Sequence, residues 1–228
     1  MSCEFSFIVP VFHEQDLINS TIDNIHDLVG DYSVEIIVVD GYPDGDTIRE
    51  IQDGTVKKVT SDKGRGNQLN KGASIAEGNI MIFLHADSRL PAVALERIVL
   101  AMGKEEYIGG AFDLSIDSSR IAFRIIEMAA SWRSRLTRIP YGDQAIFIRT
   151  SYFKTLGGFS NIPIMEDVDL MQRIKRNKDR IVILEEKAVT SSRRWEREGA
   201  FYCTLRNWLL ITLFFAGVTP EKLVRYYR

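Results

Sequence analysis

Ile80-Met81-Ile82-Phe83-Leu84-His85-Ala86-Asp87 is the stretch whose reading decides the fold. Its first five residues are apolar without interruption, the pattern of a strand covered on both faces. His85 and Asp87 come next, where such a strand reaches the rim of its sheet. Residues two apart on extended chain point to the same side, and open parallel sheets bind ligands outside the carboxyl ends of their strands. The run is therefore read as a central strand that delivers two polar side chains to a crevice.

Similar units lie on both sides of it. Phe5 to Val11 reads as a first strand, followed by a helical stripe of Leu17, Ile18, Thr21, Ile22, Ile25 and Leu28. Glu35 to Asp40 is a second, β-branched strand, and Val56 to Thr60 a short third. Gln68 to Ala76 and Leu95 to Met102 read as helices. Strands alternating with helices imply an α/β fold with a mainly parallel central sheet, right-handed crossovers and flanking helices. After Gly103 the pattern is less regular. Gly109 to Leu114 reads as a strand, Ile121 to Ile139 as a long helical segment, and Ala145 to Ile148 as another strand. One domain is expected over 1–228: an N-terminal half to 103, a second half over 104–195 and a helical tail over 196–228. Internal repeats and low-complexity linkers are not evident.

The composition, 45% hydrophobic and 26% charged over 228 residues, suits a substantial core and excludes disordered and collagen-like classes. The net charge of −2 offers no global field for nucleic acid. From Met171 onward, however, thirteen cations face six acids, so the C-terminal quarter favours an anionic partner. Cys3 and Cys203 match no metal or redox spacing and suggest a reducing compartment. Met1-Ser2-Cys3-Glu4 lacks the basic start of a signal peptide, so no export leader is expected. Trp208 to Val218 is apolar but too short to span a bilayer, which takes about 20 residues. It is expected in a subunit contact, at a membrane surface or in the core. Ile121, Ile125, Met128, Trp132 and Leu136 share one face of a helix rich in arginine. That segment suits packing against the sheet or a second subunit, or a membrane surface.

Three strand ends carry polar signatures that would converge on one crevice: Pro10-Val11-Phe12-His13-Glu14, Asp40-Gly41 and His85-Ala86-Asp87. Asp87 can hold a hard divalent cation, and magnesium accepts a single carboxylate because water and phosphates supply its other ligands. His85 can bind metal, hydrogen-bond a ribose, or be structural. Gly64-Arg65-Gly66-Asn67 opens a helix and suits a phosphate, with the Arg65 fork at a helix N-terminus. Gly157-Gly158-Phe159, then Met165-Glu166-Asp167-Val168-Asp169-Leu170, joins a glycine turn to a helix that starts on carboxylates. A carboxylate fixed in a first turn can serve as a general base. Glu166 and Asp167 are the candidates.

Taken together and in this order, from about Phe5 to Trp195, these segments resemble the family 2 glycosyltransferases with the GT-A fold, and a small soluble bacterial subgroup carrying Leu84-His85-Ala86-Asp87. The resemblance implies a nucleotide-diphosphate-sugar donor held by Pro10, Val11, Glu14, Asp40, Arg65, Asn67, His85 and Asp87. It implies Mg²⁺ or Mn²⁺ on Asp87, and inverting transfer to an acceptor hydroxyl with Asp167 as base and Glu166 beside it. Asp143, Gln144, Arg194 and Trp195 would face the acceptor, whether glycan, lipid-linked or small molecule. A cytoplasmic enzyme is implied, free or at the inner membrane face, as a monomer or homodimer, with no nucleic-acid partner. The sequence departs from the family pattern where His85 replaces the first Asp of Asp-x-Asp, His13 replaces Asn, and Gly41 to Gly45 replaces a more polar loop. Two other readings stay open. A sugar-phosphate nucleotidyltransferase would carry a glycine-rich loop where Pro10 to Glu14 stands, and a catalytically silent nucleotide-sugar-binding protein would not need Asp87, Glu166 and Asp167.

Overall fold

The computed structural model describes residues 3–227. Met1 and Ser2, part of the stretch read for a leader, and Arg228 lie outside it. In chain order the elements are β1 (Phe5–Val11), α1 (Gln15–His26), β2 (Val34–Asp40), α2 (Asp46–Arg49), β3 (Lys57–Thr60), α3 (Arg65–Ile75), β4 (Ile80–Phe83) and β5 (Ser88–Arg89). Next come α4 (Ala94–Met102), β6 (Tyr107–Asp117), α5 (Ile121–Thr137), β7 (Phe147–Arg149), α6 (Thr150–Leu156), α7 (Glu166–Arg176) and β8 (Arg180–Ser191). The tail forms α8 (Arg193–Glu198), α9 (Ala200–Phe215) and α10 (Pro220–Leu223).

All eight strands join one sheet in the order β3-β2-β1-β4-β7-β6-β8-β5. The decisive run is the fourth of these, central as expected. β1 pairs parallel with β2 and β4, and β2 with β3, as the alternation implies. The second half departs from a purely parallel sheet. β7 runs antiparallel to both β4 and β6, and the two-residue β5 antiparallel to β8. The long strand β8 has no counterpart among the expected elements. It pairs parallel with β6 over most of its length, and its end opens directly into α8 at the crevice.

The core arises from the two-residue period of strands. Phe5, Phe7, Val9 and Val11 point to one face, where Ile18, Ile22 and Ile25 of α1 and Leu95, Ile98 and Met102 of α4 cover them. Ile8, Ile37, Val39, Met81 and Phe83 point to the other, under Leu69 and Ala73 of α3 and Val168, Leu170, Met171 and Ile174 of α7. The α7 stripe read from sequence is thus buried throughout. Gly72 lets α3 approach the sheet, since a Cβ there would stand 2.5 Å from Ile8 Cγ2. The tail packs back on the body: Leu210 and Leu223 are buried with Ile164, beside Met165, Phe214 and Tyr227. Trp208–Val218 is therefore divided, with Leu210 in the core and Trp208, Leu209 and Phe215 exposed.

Candidate active site

The strand ends build one rim of the cleft. At the end of β2, Asp40 is fully buried and binds its own loop. Its Oδ1 accepts the Tyr42 N–H at 2.8 Å, and its Oδ2 accepts those of Thr47 at 2.9 Å and Ile48 at 3.3 Å. The Asp40 carboxylate thus shapes the 41–48 segment. Gln68, buried on α3, ties the neighbouring strand ends together by donating to the carbonyls of Val11 at 2.7 Å and Val39 at 2.9 Å. Val11 is buried, and Pro10 beside it pairs with Val39 in the sheet. Phe12, His13 and Tyr42 cluster next to this loop, with His13 and Tyr42 ring centres 4.7 Å apart and Lys63 Nζ 4.2 Å over the Phe12 ring. His13 also holds Asp46.

A second group gathers around Asp87. Burial raises the Asp87 and Glu14 carboxyls, and Arg193 opposes the rise in both. The Arg193 guanidinium lies 3.4 Å from Glu14 and 3.9 Å from Asp87. It comes from the start of α8, immediately after β8, the strand with no sequence counterpart. His85 is pushed down to about 3 by burial and by the nearby Arg65 charge, so its imidazole is neutral at physiological pH.

The third group carries the acceptor-side acids. Asp167, half-buried in the first turn of α7, accepts the Gly142 N–H on Oδ2 at 2.6 Å and the Val168 N–H on Oδ1 at 2.7 Å. Each oxygen keeps a second lone pair for another donor. Gly142 lies between Asp167 and His85: a Cβ there would sit 3.1 Å from His85 Nε2 and 3.4 Å from Asp167 Oδ2. Glu166 is different. It is 3% exposed and paired with Arg65 Nη1 at 3.4 Å, with its carboxyl raised by burial against the pull of Arg65. Glu166 therefore underlies Arg65, whose side chain stays 41% exposed in the cleft. Asn67, in the first turn of α3, bonds weakly back to the Lys63 carbonyl at 3.4 Å. Asn70 pins the acceptor-side loop through a reciprocal pair with the Phe159 backbone, at 2.8 and 2.9 Å.

Asp143 and Gln144 are neighbours with opposite fates. Gln144 has no exposed surface. It donates to the Phe112 carbonyl at 2.9 Å and accepts from Ser134 Oγ at 2.7 Å and Arg133 Nη2 at 3.0 Å, so it fastens α5 to β6. Asp143 instead leaves its buried Oδ1 without a hydrogen-bond partner. Its carboxyl is pushed up to about 6 by burial, which Arg133 opposes and the Asp167 charge assists. Arg133, stacked 3.2 Å from the Tyr141 ring centre, is the one arginine of α5 that faces this group. Its spacing in the sequence does not distinguish it from the surface arginines of that helix. Arg194 and Trp195 turn to structural partners. Arg194 stacks 4.2 Å over Tyr227 and donates to its hydroxyl at 2.5 Å, while Trp195 packs edge-on against Phe123 at 6.2 Å. Tyr227 in turn interacts with Arg65. Tyr227 thus brings the C-terminal tail beside Arg65, and Arg133, Tyr141, Arg193 and Tyr227 join the residues expected from the sequence. Tyr141 and Arg193 carry a sequence signal, in the runs Tyr141-Gly142-Asp143-Gln144 and Arg193-Arg194-Trp195, while Arg133 and Tyr227 carry none.

Asp143 should make stability depend on pH. Its folded value near 6 lies above the ordinary carboxylate value of 3.8, so between these pH values the folded chain binds more protons than the unfolded one. The ionised group costs stability above pH 6, and that cost vanishes below about pH 4. Asp143→Asn should therefore stabilise the protein at pH 8 by up to about 3 kcal/mol. In denaturant titrations from pH 8 to 4, the gain should shrink to near zero.

The donor set at the β4 end fits a divalent cation. It offers one half-buried carboxylate and one neutral imidazole two residues away, with the nearest cation beyond hydrogen-bond distance of Asp87. Three or more His, Cys, Asp or Glu side chains do not cluster in metal-binding geometry among the described residues, so a bound ion would draw further ligands from a substrate diphosphate.

The family model described as glycosyl transferase family 2 matches residues 6–157. No curated protein gives a significant sequence match. Solved structures do. The mannosyltransferase PcManGT from Pyrobaculum calidifontis, in complex with GDP-Man and Mn²⁺, superposes with a TM-score of 0.69 at 18% identity, covering 100% of this chain and 69% of its own. S. aureus TarS in complex with UDP gives 0.63 at 17% identity, covering 82% and 60%. Glucosyl-3-phosphoglycerate synthase from Mycobacterium tuberculosis, in complex with Mn²⁺, UDP and phosphoglyceric acid, gives 0.59 at 18%, covering 82% and 70%. This chain thus spans 60% of the TarS fragment. At these identities the likeness shows the shared α/β fold.

Proposed function

The chain belongs to glycosyl transferase family 2, and on that footing we propose that it transfers a sugar, with inversion, from a nucleotide-diphosphate sugar to an acceptor hydroxyl. The observation that carries this reading is the Gly142 bridge. Asp167 and His85 meet across Gly142, so the first-turn carboxylate of α7 and the end of β4 belong to one cleft. A donor and an acceptor can then be held together there. The nucleotide-bound and nucleotide-sugar-bound neighbours support the same class of donor.

Each group then has a role in the proposal. The base rests on the loop that Asp40 shapes, against the Phe12, His13 and Tyr42 rings, where an aromatic plane can stack. Glu14 and His85 contact the sugar portion of the nucleoside. Arg65 and Asn67, at the start of α3, bind the diphosphate, and Glu166 positions Arg65 from beneath. Asp87, with His85 beside it, would hold Mg²⁺ or Mn²⁺, which supplies positive charge for the departing diphosphate. Asp167, oriented by the Gly142 and Val168 N–H groups, takes the proton of the acceptor hydroxyl. That oxygen attacks the anomeric carbon on the face opposite the diphosphate, which breaks the bond to the leaving oxygen and inverts the centre. A positioned base contributes about 10²–10⁴-fold. The acceptor lies on the side of Asp143 and Arg133.

A thermal-shift panel of nucleotides and nucleotide-sugars, with and without Mn²⁺, tests the donor class. Stabilisation by nucleoside diphosphates and their sugars, with subsequent release of the diphosphate, is expected. Selective response to a nucleoside triphosphate with a sugar phosphate would instead indicate nucleotidyl transfer.

A further inference from the structure

Two helices outside the cleft present apolar faces that the fold does not cover. On α5, Ile121, Ile125, Met128, Trp132 and Leu136 form one stripe and are 59–79% exposed, with Trp132 at 68%. On α9, Phe201, Tyr202, Leu205, Trp208 and Leu209 are 55–82% exposed. The helices meet where Ala200, the first residue of α9, packs with Ile126 and Ala130 of α5 around Phe123. Buried cores do not account for these residues, and apolar patches of this kind mark interaction surfaces.

The charge around them selects the partner. Neither helix exposes an acid. α9 contains none, and the single acid of α5, Glu127, is 3% exposed and bound by the Ile116 N–H and Arg124. Of the cations that border the stripes, Arg124 is held by Glu127, Arg135 by Asp113 and Arg197 by Glu198, while Arg120, exposed just before α5, has no ion-pair partner among the described residues. A cavity of about 640 Å³ opens on the same face between Met128, Trp132 and Leu136. The cations at its mouth are already paired, Arg135 with Asp113 and Lys187 with Glu127, so it adds apolar depth and is not an anion site of its own. Neither α5 nor α9 exposes an acid that could meet Arg120 of a second copy, whereas an anionic surface supplies that counter-charge.

We propose that α5 and α9 together dock the protein on an anionic lipid bilayer, with Trp132 and Trp208 entering the headgroup boundary and Arg120 on a lipid phosphate. Helices of this composition bind in the interface plane, and no helix among the described residues is long and apolar enough to cross the membrane. The inference is independent of the reaction assigned to the cleft.

Co-sedimentation with vesicles tests it, using phosphatidylcholine alone and phosphatidylcholine mixed with phosphatidylglycerol. The protein should bind the mixed vesicles only and lose binding in high salt, with a blue shift of tryptophan emission. Arg120→Gln should weaken partition about fivefold, the effect of roughly one surface cation. The double variant Trp132→Glu, Trp208→Glu should abolish binding, yet unfold at the same temperature as the parent. Equal binding to both vesicle types, or a folded parent that ignores anionic vesicles, overturns the proposal. So does a dimer by light scattering that Trp132→Glu converts to monomer, because the occupant is then a second copy.

Discussion

Asp167→Asn is expected to lower turnover by about 10²–10⁴-fold, the usual contribution of a general base. The asparagine keeps the size of the side chain but removes the oxygen that can take a proton. In the parent Oδ1 accepts the Val168 N–H and Oδ2 that of Gly142, so the amide oxygen can keep one of these bonds and only the other is lost. Donor affinity should stay near that of the parent, since the proposed role of Asp167 is toward the acceptor. Glu166→Gln gives the contrasting result. Glu166 pairs with Arg65, so its loss should weaken nucleoside-diphosphate binding while costing less in turnover at saturating donor. Calorimetry with the diphosphate, beside single-turnover kinetics, separates the two. Near-parental turnover for Asp167→Asn, or a deader Glu166→Gln, means that the base is not Asp167.

Asp87→Ala is expected to cost about 10²–10³-fold in transfer, comparable to removing one preorganised electrostatic contact at a developing charge. The effect should appear in the Mn²⁺ dependence as well. Parental protein should bind UDP or GDP more tightly with Mn²⁺ than with a chelator, and Asp87→Ala should bind equally in both. Arg193 makes the outcome more specific. It stands 3.9 Å from Asp87 and 3.4 Å from Glu14, so removing Asp87 leaves it with Glu14 alone and its charge remains in the cleft. Residual metal-independent diphosphate binding by Asp87→Ala is therefore expected. Loss of that remaining affinity in Asp87→Ala, Arg193→Ala would identify Arg193 as its source. Parental binding already indifferent to chelator would remove the metal from the proposal.

The first half of the fold is legible in the residues alone. β1, β2 and β4 are read to within a residue or two of their ends, because burial on both faces makes each a nearly continuous apolar run, with Ser6 the one polar residue inside β1 and Glu35 near the start of β2. The residues at the carboxyl ends of those strands are legible for the same reason, since each apolar run stops where its polar signature begins. The α7 stripe is legible through the 3.6-residue period of an amphipathic helix. β8 is not. Arg180, Glu185, Glu186 and Lys187 interrupt it, because one of its faces is partly open to water and its pairing with β6 shifts register midway. Its place in the sheet depends on that partner, which lies distant in sequence.

How the polar groups divide their work emerges only on packing. Glu166 and Asp167 are adjacent and chemically alike, yet successive positions in a helical first turn face different ways, so one is buried against Arg65 and the other opens to the cleft. Asp143 and Gln144 divide in the same way, and so do the arginines of α5, where Arg133 turns inward to Tyr141. Tyr227 returns from the far end of the chain to stand beside Arg65 and bind Arg194. Local pattern sets residue type and period. Which charge is desolvated, and by which partner, is settled when distant segments pack together.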